Sequence, residues 1–88
     1  MRRMSGLGEL AVPWKVVSTG KEDSGVTNEA SAYWMLAGRI GDTFGGTPVS
    51  PREVHFQVTG PLGLPPGDTM TLIKNALRAG YLKIEKGV

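Results

Sequence analysis

Few side chains in this 88-residue chain are equipped to run a reaction. It contains no cysteine, which excludes thiolate catalysis, disulfide staples and thiolate metal sites. A serine nucleophile would have to borrow the single histidine, His55, as its base, and no serine sits in a Gly-x-Ser-x-Gly elbow. His55 falls on the polar side of an alternating run over 54–59, so a solvent-facing or hydrogen-bonded role is expected of it. Glu22 and Asp23 adjoin in a loop, but no further ligands lie near them in sequence to hold a cation. The glycine-rich stretch 41–47 has no lysine in the phosphate-loop position and no helix start directly after it. The stretch 60–63 runs into two prolines, which lack the N–H groups a phosphate cradle uses. The residues therefore predict a protein that is not an enzyme, holds no cofactor and acts by binding.

Charge leaves one candidate surface. The net charge of +2 is uninformative, but residues 69–88 hold Lys74, Arg78, Lys83 and Lys86 against Glu85 alone, whereas residues 1–68 are nearly balanced. Thr69, Thr71, Lys74, Asn75 and Arg78 are spaced along one helix, with Lys83 and Lys86 on the strand that follows. These residue types contact phosphates and base edges. They are also the ordinary make-up of a solvated helix face.

Short elements must position these groups. Thirteen glycines and six prolines cluster between apolar runs, hydrophobic residues make up 40% of the chain and charged residues 20%. That is globular composition. One domain over 12–88 is expected, preceded by a flexible segment over 1–11. The N-terminus is basic but lacks the apolar stretch of a secretory signal, and no run is long enough to span a bilayer. With no cysteine in use, a reducing, cytoplasmic location is expected. So short a chain has little core, and a protein partner or self-association would complete its burial.

Along the chain, 12–18 is β-rich, with Pro13 near its start, and 19–27 is a polar loop. Residues 28–40 have helical spacing, with Thr27 or Asn28 to cap it, Glu29 in its first turn and Gly41 to end it. A strand over 32–36 is the rival for that segment. After a loop over 41–48 two signals collide. Ser50, Pro51 and Glu53 form a helix-start box, while 54–59 alternates apolar and polar side chains as a strand does. Poor helix formers in that stretch favour the strand. A proline-rich loop over 60–67 leads to Asp68, which caps a helix over 69–79 with Met70, Ile73 and Leu77 inward, and Gly80 closes it. Tyr81 to Lys86 is a strand with Leu82 and Ile84 facing in and Tyr81 facing out. The fold class is α+β, in the order β-α-β-α-β, with a sheet of three or more strands and two helices on one face. Trp14, Trp34, Phe44, Phe56, Leu72, Leu77 and Ile84 are the expected core.

The succession of helix, Gly80 and Tyr81-Leu82-Lys83-Ile84-Glu85-Lys86 resembles the end of a winged helix-turn-helix domain over residues 65–87. That resemblance implies nucleic-acid binding, with Thr69, Thr71, Lys74, Asn75 and Arg78 on the recognition helix and Lys83 and Lys86 as phosphate contacts on the wing. It also places a helix at 54–59 and calls for a return strand after the wing strand, which is expected to be missing. The same stretch is similar to a β-grasp domain, which implies a protein-binding surface. A small non-enzymatic protein-binding module is the leading expectation, with an exposed sheet edge for β-augmentation. Nucleic-acid binding through the basic 69–86 unit is the alternative.

Overall fold

The computed structural model describes residues 8–21 and 28–86. The expected Thr27 cap and most of the 19–27 loop lie outside the described residues. So do residues 1–7 of the N-terminal segment and the side chains of Asn28 and Glu29. A short 3-10 turn over Gly8–Leu10 packs against the third helix, and Leu10 is buried there. The chain then forms β1, Trp14–Ser18, and α1, Asn28–Phe44. Next come α2, Pro51–Val54, continuing as a π-helical run His55–Thr59, then α3, Pro66–Ala79, and β2, Leu82–Lys86. The mixed helix and sheet composition agrees with the expected α+β class. Among the described residues the sheet has two antiparallel strands, β1 and β2, with no third strand and not in the expected β-α-β-α-β order, and Val49 adds an isolated antiparallel bridge to Val16.

The strand expected over 54–59 is helical. Ser50 accepts the amide N–H of Glu53 and Pro51 occupies the first turn, so the helix start has both its signals. Burial decides the rest. Pro51, Val54 and Val58 face the core at helical spacing, and Thr59 beside them is buried as well. Phe56, which a strand would align with Val54 and Val58, turns outward. The alternation of 54, 56 and 58 was compatible with both periods until one face had to be buried. Gly60 ends the run with its N–H donated to the His55 carbonyl, and a Cβ there would stand 2.7 Å from that oxygen.

α1 runs past Gly41, where a stop was expected, and the strand rival at 32–36 is not realised. Continuing to residue 44 lets Phe44 pack on the core, and Gly45 and Gly46, both with positive φ, turn the chain instead. α3 also starts earlier than expected. Pro66 forces Pro65 into extended backbone and itself sits at the first turn, so Pro65 is the N-cap and Asp68 a first-turn acid. Gly80 closes α3 in the left-handed conformation, with Tyr81 N–H donated to Ala76 carbonyl and Gly80 N–H to that of Leu77.

The core is Val16, Leu36, Ala37, Ile40, Val49, Val54, Val58, Ile73, Ala76, Tyr81 and Leu82, with Trp14, Phe44, Leu72 and Leu77 packed partly buried against it. Three residues expected inside are exposed: Trp34, Phe56 and Ile84. Tyr81, expected to face solvent, is buried because the left-handed turn at Gly80 swings it under the end of α3.

Candidate nucleic-acid interface

α3 is built to show one polar face. Met70, Ile73 and Ala76 are buried, which leaves Thr71, Lys74 and Arg78 exposed together and Asn75 half-buried at their edge. Thr71 donates to the Gly67 carbonyl at 3.1 Å, and Arg78 reaches the Asn75 amide oxygen at 3.5 Å. Neither Lys74 nor Arg78 meets a carboxylate among the described residues. Asp68 is exposed in the first turn of the helix, so its carboxylate makes that end of the face negative while Lys74 and Arg78 make the rest positive.

Thr69 is not part of this face. It is completely buried, and its hydroxyl donates to the Pro65 carbonyl at 3.3 Å. It also stands 3.2 Å from His55 Nδ1 and within hydrogen-bond distance of the Thr59 hydroxyl. Thr59 in turn lies 3.3 Å from the same ring nitrogen. His55, Thr59 and Thr69 thus form a polar clamp that holds the π-helical run to the start of α3. The expectation that Thr69 contacts a ligand is corrected on this ground. Helical spacing sets it about 160° round from Thr71 and into the core.

Lys83 is exposed on β2, where Glu85 lies 3.7 Å from its ammonium. The register pairs Lys15 with Glu85 and Val17 with Lys83, so the exposed Lys15 shares their face of the sheet. Lys86 pairs with Trp14 in the register, and its side chain lies outside the described residues.

Sequence reasoning missed Lys21. Its ammonium donates to the Ala79 carbonyl at 2.7 Å and lies 4.9 Å from the centre of the Tyr81 ring. The Thr19 hydroxyl donates to the Gly80 carbonyl at 2.7 Å, and its amide donates to that of Tyr81. Residues 19–21 thereby fasten the corner between α3 and β2 and satisfy carbonyls that the helix end leaves open. Nothing local could reveal this, because the partners lie about sixty residues away along the chain.

Among the described residues no cluster of three or more His, Asp or Glu side chains is placed to hold a metal ion. No helix among them is long and apolar enough to cross a membrane. Comparison with known protein families, with curated proteins and with solved structures found no match.

Proposed function

We propose that this chain is a nucleic-acid-binding domain of winged-helix type, without catalysis of its own, that uses α3 as its reading helix. The observation that carries the proposal is the exposed face of α3. Two cations without carboxylate partners among the described residues stand there one turn apart beside Thr71 and Asn75. Three further features support it. Residues 51–59 are helical, so α2 with its π-helical run, a turn and α3 follow one another as helix, turn and helix. β2 leaves the corner after α3 carrying Lys83. β1, from the other end of the chain, lies antiparallel to β2 where a wing's return strand would lie. Lys74 and Arg78 serve as phosphate and base-edge contacts, Thr71 and Asn75 as hydrogen-bonding neighbours, and Lys15 and Lys83 as flanking charges on the sheet.

Fluorescence anisotropy against duplex DNA and single-stranded RNA, each at two salt concentrations, tests this. Duplex binding that weakens with salt is expected. Lys74→Ala with Arg78→Ala should lower the slope of log affinity against log salt by about 1.8. Absence of binding to either nucleic acid at low salt overturns the proposal. The protein-binding alternative has its support on a different face, α1 and the turn after the π-helical run, where Trp34, Met35 and Leu62 stand exposed.

A further inference from the structure

β2 is an open edge of the sheet. Val16 in β1 exchanges two backbone hydrogen bonds with Val49, at 2.8 and 2.9 Å, so its N–H and C=O point away from β2. Backbone groups alternate sides along an antiparallel strand, so Lys15 and Val17 bond β2 instead, through Glu85 and Lys83. Thr19 keeps the same alternation where its N–H reaches the Tyr81 carbonyl at 3.0 Å. On β2 the N–H and C=O groups of Leu82, Ile84 and Lys86 therefore point outward, and no strand among the described residues pairs with them. β2 carries neither a proline nor a bulge to close that edge. The Ile84 side chain marks the same margin: it stands across from the completely buried Val16, yet is itself 44% exposed at the rim of the core.

The residues of β2 identify what fits this edge. Laid antiparallel to a second copy of itself about Ile84, the strand sets Lys83 opposite the partner's Glu85 and Glu85 opposite the partner's Lys83. Glu85 then lies between the partner's Lys83 and Lys15 of its own copy. The same register pairs Ile84 with the partner's Ile84 and Leu82 with the partner's Lys86, and these are the residues whose amides point outward. Main-chain bonding and charge thus select one alignment. Sliding the pairing by one residue sets outward amides against residues whose own amides are already bonded to β1. Sliding it by two opposes Lys83 to the partner's Lys83, or Glu85 to the partner's Glu85, in direct like-charge contact. The register centred on Ile84 has neither fault and pairs all five residues of the strand.

We propose that the chain forms a two-fold homodimer by pairing β2 antiparallel with β2 of a second copy about Ile84, which joins the two sheets into one. The contact is isologous, so it closes at two copies. It covers both Ile84 side chains, uses no residue of α3 and stands whether or not that helix binds nucleic acid. Sedimentation-velocity ultracentrifugation of the full chain, without nucleic acid and up to about 1 mM, is the test. Wild type should move from monomer to dimer with concentration. Ile84→Pro should stay monomeric, because it deletes an N–H that is not bonded to β1 but that donates both bonds across the two-fold axis. Lys83→Glu should weaken dimerisation at least about tenfold, since both cross-strand ion pairs become like-charge contacts. Adding Glu85→Lys exchanges the two charges at unchanged net charge and should restore the dimer. A wild-type chain that stays monomeric throughout, an Ile84→Pro chain that dimerises as wild type does, or an exchanged chain that dimerises no better than Lys83→Glu alone overturns the proposal. Should Ile84→Pro fail to fold, the two charge variants carry the test from positions outside the core.

Discussion

Replacing Thr69 with valine keeps the β-branched shape of the side chain and removes one hydroxyl from the interior. That hydroxyl is 0% exposed, donates to the Pro65 carbonyl and touches both Thr59 and His55. A buried hydrogen bond contributes about 1 kcal/mol net, and stranding its partners adds about 1–3 kcal/mol. The partners are only partly stranded here, since Thr59 keeps His55 Nδ1 within reach at 3.3 Å. The expected loss is about 1.5 kcal/mol, which in a domain of this size lowers the melting temperature by about 6–12 °C. Thr71 lies two residues on and is exposed, bonded only to the Gly67 carbonyl, so Thr71→Val should change stability by less than about 0.5 kcal/mol. Nucleic-acid affinity should move the other way. Thr71→Val weakens duplex binding several-fold, and Thr69→Val leaves it unchanged well below its melting temperature. Thermal denaturation followed by circular dichroism, together with the anisotropy titration, compares the two. The clamp also predicts non-additivity: Thr59→Val with Thr69→Val should cost less than the two single losses together, because both remove the same contact. Equal melting temperatures for the two single variants, or a larger loss for Thr71→Val, would refute this account of which threonine is structural.

The helical assignment of 51–59 has its own pair of variants. Val54→Ala, at a fully buried position, should cost about 2 kcal/mol, and Phe56→Ala under about 1 kcal/mol, as read from denaturant midpoints. The reverse order would restore the strand. Glycines give a second contrast. Gly60→Ala would drive a Cβ to 2.7 Å from the His55 carbonyl and should destabilise by about 1–3 kcal/mol, while Gly67→Ala, with open space around it in the first turn of α3, should stabilise by about 0.4–1 kcal/mol. Melting temperatures that move together in both variants would contradict this geometry.

Local chemistry along the chain was enough to place several elements. Ser50, Pro51 and Glu53 mark a helix start, although the alternation after them favoured a strand, and Gly80 ends α3, each for a reason confined to a few neighbouring residues. The exposed face of α3 was legible in the same way, since Lys74 and Arg78 recur at the helical period. Tertiary packing decided the rest. Residues 54–59 satisfied both a two-residue and a helical period, and only the burial of Val54 and Val58 against α1 and α3 selected one. Thr69 and Thr71 are alike as residues, yet one lies in the interior because a helix turns about 100° per residue. Trp34, Phe56 and Ile84 are apolar in any list and exposed in the fold, because a domain this small cannot cover every apolar side chain. The pairing of β1 with β2, and the fastening of the α3 corner by Thr19 and Lys21, join opposite ends of the chain. Contacts at that separation leave no local signature, because their free energy appears only once the intervening helices have brought the two ends together.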